Sequence, residues 1–201
     1  LSNLASSRDI VTFSDFLNLN ELNILHTTPK DQFPVAYETY GGYDTAERQM
    51  VAFLPDALCY EYFYPMKTVI IEPLNLNFSE SLTHRDYLGA LMNLGIERNQ
   101  VGDIVVKEAD SYSKACVAYV YCKSNKEKLI ESITSIKHTT VYCEAVAMTE
   151  IDSTPKYREI IGSVASLRLD AVTAVALKSS RSQCLEHIRA GNVYINGRNS
   201  T

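Results

Sequence analysis

The chain has 201 residues, 46% of them hydrophobic and 21% charged, with a net charge of −5. That balance suits a globular protein able to bury a sizeable core and to form more than one compact unit. No apolar run is long enough for a membrane helix, and residues 1–11 lack the basic-then-apolar layout of a secretory signal, so no membrane role is expected.

The mean charge hides an asymmetry. From Lys156 onward seven cations face three anions, a balance of +4, which leaves −9 for everything before it. A basic end on an acidic body is the pattern of one module that meets phosphate. The five cysteines, Cys59, Cys116, Cys122, Cys143 and Cys184, form no Cys-x-x-Cys pair. Cys116, Cys122 and Cys143, set among β-branched and aromatic residues, predict buried thiols, and the set predicts no metal site and a reducing, cytoplasmic address.

Three segments follow in chain order within an α+β chain. The first, residues 1–66, predicts a small N-terminal α/β domain. Apolar residues at 13, 16, 17, 19, 22, 24 and 25 follow a helical period, with Ser14 or Asp15 as cap. Pro29 and Pro34 break the pattern. Residues 36–40 and 50–54 predict strands around a Gly41-Gly42 turn, and 59–64 a further strand.

The second segment, 67–151, predicts a strand at 68–73 and a helix capped by Thr83 with Asp86 three residues on. Strands follow at 102–107 and 115–122. Ser124 is expected to cap a second helix with Leu129, Ile130, Ile133 and Ile136 inward, and 139–148 to be the last strand. Strand–helix–strand–strand–helix–strand is the split βαβ pattern of ferredoxin-like domains, a fold that carries many functions. Residues 152–155 are polar and proline-broken, as a linker would be.

The third segment, 156–201, predicts two helices and a strand. Leu169, Val172, Val175 and Ala176 make one apolar stripe. Ser179 or Ser180 caps the second helix, whose inner face is Leu185 and Ile188, and Gly191 supplies a left-handed stop. Val193 and Ile195 alternate as a strand, and Asn196-Gly197 makes a two-residue hairpin turn. Arg181 stands in the first turn of the second helix, where a cation opposes the dipole. A phosphate that neutralises it would also meet the helix amides. Ser180 and Ser182 add hydroxyls, with Lys178 and Gln183 alongside. Arg168 stands at the start of the first helix. Arg189, Asn192, Asn196 and Arg198 extend the same polar surface.

These residues carry a resemblance. Arg168-Leu169-Asp170, Ser180-Arg181-Ser182, Ile188, Gly191, Val193 and Asn196-Gly197 resemble the ribosomal protein S-four type of RNA-binding domain. The resemblance implies a grip on structured RNA, mostly by backbone and shape, as deep-grooved RNA helices require. Asn192 departs from it where a basic residue or His is frequent. The return strand of the hairpin is expected to be missing, so the module is read as incomplete. Upstream, residues 40–48 with Pro55-Asp56, and residues 82–98 followed by Val101-Gly102-Asp103-Ile104, are similar to the first two domains of the YlmH family. That resemblance implies a bacterial or plastid cytoplasmic RNA-binding protein. It further implies links to the large ribosomal subunit and tRNA in rescue of stalled translation, and a cell-division role.

Other motifs are weaker. His84-Arg85-Asp86 imitates a kinase catalytic loop, but the required Asn falls on Leu91 and no glycine-rich loop exists. His84 and Arg85 at a helix start, with Arg98, form a candidate second RNA contact. Gly41-Gly42 lacks the Lys-Ser/Thr of a phosphate cradle. Residues 114–121 begin with Lys and end with Tyr like a base-stacking strand, but Cys116 and Ala118 stand where rings are needed. Tyr119 and Tyr121 on one face are then packing residues. The four His residues are dispersed, with no catalytic pairing. The leading expectation is a non-enzymatic RNA-binding protein without cofactor or small-molecule substrate. The alternatives are an RNA-modification enzyme of the pseudouridine synthase type, whose signature residues 1–155 lack, and a protein–protein adaptor using the acidic body.

Overall fold

The computed structural model describes residues 1–108, 115–147 and 159–195, with the backbone of 198–199. They divide into two compact units. One comprises Leu1–Asn18 and Thr28–Ser153, the other Leu19–Thr27 and Thr154–Thr201. The first two expected segments therefore share one unit, each with its own antiparallel sheet.

In the first unit, helix α1 (Ser2–Arg8) precedes a three-stranded sheet of order β1-β3-β2, built from β1 (Thr12–Phe13), β2 (Ala36–Tyr40) and β3 (Met50–Leu54). β2 and β3 pair from Ala36 with Leu54 to Tyr40 with Met50, as two strands around the Gly41-Gly42 turn. The expected helix at 13–25 is corrected. Phe13 lies in β1, and Ser14 exchanges hydrogen bonds of 2.9 Å with Val51 instead of capping. Asp15 pairs with Lys123, and Phe16 is buried. Only Leu19–Thr27 is helical, as α2, and it belongs to the second unit. The expected strand at 59–64 is also absent from the sheets. Its residues contribute rings instead, Tyr62 tilted and Tyr64 edge-on against Phe13 with centroids 6.1 and 5.5 Å away.

The larger sheet has the order β5-β6-β4-β8-β7, from β4 (Met66–Pro73), β5 (Val101–Glu108), β6 (Cys116–Lys123), β7 (Ser135–Ile136) and β8 (Thr139–Val146). Taken without β7, this is second, third, first, fourth with every neighbour antiparallel, the arrangement of two interlocked split βαβ units. Helix α3 (His84–Asn93) begins as its sequence predicts. The Asp86 carboxylate accepts both the Thr83 amide and hydroxyl at 2.8 Å. Gly95, at φ +77°, follows its end.

The second expected helix is corrected. Ser124 donates its amide to the Pro65 carbonyl and does not cap. The helix α4 spans only Glu127–Glu131, and Leu129 is exposed. Ile136 reaches the core from β7, so one apolar period is shared by a helix and a strand. Val69, Ile71, Tyr87, Leu91, Val120, Ile130 and Ile136 form the main core. The opposite face of this sheet is closed by a second cluster of Phe16, Met50, Met66 and Tyr121. Tyr121 is fully buried there, so the strand is a packing element and not an open stacking platform.

The 40–48 segment is what closes that face. Gly42 adopts φ +102° with its backbone flat on the Tyr121 ring; an added Cβ would lie 2.3 Å from Cε1. A Cβ on Gly41 would lie 2.4 Å from the Arg48 carbonyl oxygen. Asp103 accepts the Tyr43 hydroxyl and the Glu47 amide, both at 2.7 Å. Arg48 donates to the carbonyls of Val101, Phe16 and Arg98 at 3.0–3.1 Å. The two stretches that resemble different YlmH domains thus meet in one hydrogen-bonded weld.

The second unit holds α2, α5 (Leu169–Leu177), α6 (Arg181–Arg189) and a hairpin of β9 (Tyr194–Ile195) and β10 (Arg198–Asn199). Ile195 pairs with Arg198, so a return strand does exist, contrary to the expectation. The expected linker at 152–155 and turn residues Asn196 and Gly197 lie outside the described residues. Within this unit α2 approaches β10. The buried face of α5 is corrected too: it carries Asp170 and Thr173, while Val172 and Leu177 are exposed. Cys184 of α6 is fully buried.

Candidate nucleic-acid interface

Two helix junctions build the site. Helix α5 starts at Arg168, an extended N-cap residue, and places Asp170 in its first turn. It ends on Lys178, which takes a left-handed φ of +49°. There the Lys178 amide reaches the Val175 carbonyl and the Ser179 amide the Ala174 carbonyl at 3.1 Å, a paired helix stop usually given to glycine. Ser180 then caps α6. Its hydroxyl accepts the Gln183 amide, and the Gln183 side chain accepts the Ser180 amide, both at 3.3 Å. This capping box satisfies one orphan amide at each end of the exchange. Gln183, expected to touch RNA, is thereby occupied with the helix start.

Arg181, the first residue of α6, reaches back to α5. Its Nε and Nη2 donate to Asp170 Oδ2 at 3.0 and 2.7 Å, and Arg168 Nε donates to Oδ1 at 3.1 Å. The expectation that a phosphate alone would neutralise Arg181 is corrected: the chain supplies its own carboxylate. Arg181 and Arg168 hold the Asp170 carboxyl below its ordinary pKa, the Arg181 hydrogen bond contributing most. Two cations on one anion leave the cluster with one net positive charge. The carboxylate side chain is only 6% exposed, whereas Arg168 and Arg181 are 68% and 56% exposed. A buried carboxylate thus holds two exposed guanidiniums in place, and fixed forks of this kind suit bidentate contacts to phosphate. Asp170 is the residue the sequence reading missed in this role, although it stood within the quoted Arg168-Leu169-Asp170 motif.

The remaining expected residues surround this cluster. Ser182 faces Ser180 with hydroxyls 3.1 Å apart. Lys178 is exposed at the turn between the helices. Arg189 and Asn192 are exposed at the far end of α6, where Gly191, at φ +71°, and Asn192 donate to the Ile188 and His187 carbonyls at 3.0 Å. They close the helix as Gly191 predicted, at the end opposite Arg181. Asn196 and the Arg198 side chain lie outside the described residues.

In the candidate second contact of the first unit, Arg98 is held by the chain's own carbonyls. Arg98 Nη1 donates to the Val101 and Gly102 carbonyls at 2.8 and 2.9 Å. Burial and the neighbouring Arg48 lower its pKa to about 10. Its charge is spent on the chain's own backbone. His84 lies close enough to feel Arg98; partial desolvation, then that charge, lowers its pKa. Arg85 lines a cleft of about 430 Å³ with Asn93, Thr134 and Lys137, and Lys137 is paired with Asp86 at 2.7 Å.

Among the described residues no group of three or more His, Cys, Asp or Glu could hold a metal, and no helix is long and apolar enough to cross a membrane. Burial pushes the Cys122 and Cys143 thiols up to about 12 and about 11, which makes them poor nucleophiles.

Comparison with known proteins agrees with this architecture. Residues 71–150 match the family model described as "Putative RNA-binding domain in YlmH". The chain is 29% identical over 188 residues to the ribosome-associated protein quality control protein P2 of Bacillus subtilis (strain 168), covering 91% of this chain and 68% of the relative. Its fold is similar to that of the cell division protein ylmH from Streptococcus pneumoniae, with a TM-score of 0.55 and 24% identity, over 72% of this chain and 83% of that one.

Proposed function

We propose that this chain is a member of the YlmH family, on the match of residues 71–150 and the likeness to the Bacillus subtilis relative, and a non-enzymatic RNA-binding protein that grips structured RNA through helices α5 and α6. The reading extends to ribosomal RNA or tRNA as the target, on the large ribosomal subunit, in rescue or quality control of translation in the cytoplasm. The ribosomal part is carried over from the Bacillus subtilis relative.

The observation that carries the RNA contact is the Arg168–Asp170–Arg181 cluster beside the start of α6. RNA helices offer phosphates and 2′-hydroxyls more readily than base edges. A pair of held guanidiniums can meet two such phosphates. The α6 amides and the Ser182 hydroxyl add uncharged donors at the same end of the helix. Lys178 contributes a compact charge from the turn, and Arg189, Asn192, Asn196 and Arg198 are assigned to a wider contact surface. In this reading His84 and Arg85 are at most peripheral, and Arg98 is structural.

The test is binding to ribosomal RNA and to purified large subunits with Arg168→Ala and Arg181→Ala combined. The expected result is a loss of at least ten-fold in affinity with the helical content retained. Unchanged affinity would refute it.

A further inference from the structure

The first unit has an exposed apolar surface apart from the α5–α6 cluster to which the RNA contact is assigned above. Between β4 and α3 the chain reads Leu74-Asn-Leu-Asn-Phe78, and these apolar residues point outward. Phe78 is 83% exposed and Leu74 65%, with Leu76 also exposed. The loop is shaped by design of its own polar groups. The Asn75 side chain accepts the Asn77 amide at 3.1 Å, Ser79 donates to the Asn75 carbonyl, and the Leu74 amide donates to the Thr140 carbonyl at 3.0 Å. Three large apolar side chains are therefore presented by an ordered turn. Exposed Tyr142 stands on the neighbouring β8, opposite Glu72 in the register.

The charge flanking this loop in sequence is acidic. No Lys or Arg occurs between Lys67 and Arg85, whereas Glu72 and Glu80 do. Glu144 stands opposite Ile70 on β8. Of the flanking cations, Lys137 is tied to Asp86 and Lys107 lies over the Tyr119 ring. Leu1–Asn18 and Thr28–Ser153 together carry −8. A polyanion is repelled from such a surface, while a cationic partner is drawn to it. Clustered exposed Leu, Phe and Tyr mark an interaction site and not a solvated loop.

We propose that the 74–78 loop with Tyr142 is a docking surface for a basic protein, whose apolar pocket receives Phe78 and Leu74 while its cations face Glu72, Glu80 and Glu144. The chain would then hold RNA with one unit and a protein neighbour of that RNA with the other. The choice of ribosomal proteins as probe rests on the ribosomal reading above; the surface itself does not.

The experiment places the photoreactive residue p-benzoylphenylalanine at position 78 of the full chain. It is irradiated with intact ribosomes and, separately, with total ribosomal protein freed of RNA. The expected result is a crosslink to the same basic protein in both mixtures, reduced at least ten-fold by Leu74→Ser with Leu76→Ser. Crosslinks to RNA, to a second copy of the chain, or to no protein in the RNA-free mixture would overturn the proposal. Arg168→Ala with Arg181→Ala should abolish association with ribosomes yet leave the RNA-free crosslink intact. The RNA reading and the docking surface can therefore fail independently.

Discussion

Replacing Gly42 by Ala tests the closure of the sheet by the 40–48 segment. The new Cβ would stand 2.3 and 2.4 Å from Cε1 and Cδ1 of Tyr121, where carbon atoms prefer about 3.5–4.0 Å. More than an ångström of movement is needed. The ring is fully buried and packs on Tyr43 with centroids 5.4 Å apart, so it cannot simply swing away. Overpacking of this kind costs about 1–3 kcal/mol. The positive φ of +102° adds about 1–2 kcal/mol for a residue with a Cβ. The smaller entropy of the unfolded Ala chain offsets about 0.4–1 kcal/mol. The net loss is about 1–5 kcal/mol, centred near 3, read as a lower urea midpoint at unchanged slope. Gly95→Ala is the control. It shares a positive φ, +77°, but no atom lies within 4 Å of its added Cβ, so it should lose only about 1 kcal/mol. Equal losses for the two variants would refute the packing argument.

Two further outcomes follow from the site and the thiols. Asp170→Asn raises the charge of the Arg168–Arg181 cluster from +1 to +2, so charge alone would tighten RNA binding. Loss of the carboxylate that holds both guanidiniums should instead weaken it several-fold, measured by fluorescence anisotropy at fixed salt; tighter binding would contradict the positioning role. Alkylation of the folded chain at pH 8 should modify Cys59 well before Cys122 and Cys143, which are buried and raised in pKa, and peptide mapping that finds Cys122 labelled first would contradict this.

Much of the fold was legible because local signals and tertiary packing agreed. The strands expected at 36–40, 50–54 and 68–73 match the observed ones, and Thr83 with Asp86 forms the expected capping box. The failures share a cause. From Phe13 to Leu25 an apolar period was real but served two units: Phe16 is buried in the first, whereas Leu22 lies on α2 of the second. Ile130 and Ile136 likewise share a core from different element types. Periodicity reports that a residue is buried, not against what.

The site was legible by residue type but not by partner. Arg181 was recognised as a cation in an unfavourable place on α6. The carboxylate that compensates it lies eleven residues earlier, on another helix, where no local rule could pair them. Arg98 was misread for the converse reason. It looks free in sequence, yet the fold surrounds it with the Val101 and Gly102 carbonyls.

The most direct measurement is the salt dependence of RNA binding by the native chain and by Arg181→Ala. Each phosphate contact neutralised by a cation contributes about 0.7–0.9 to the slope of log affinity against log salt. If Arg181 meets phosphate while held by Asp170, its removal should make the slope shallower by about that amount and weaken binding to all structured RNAs alike. An unchanged slope with unchanged affinity would contradict the account.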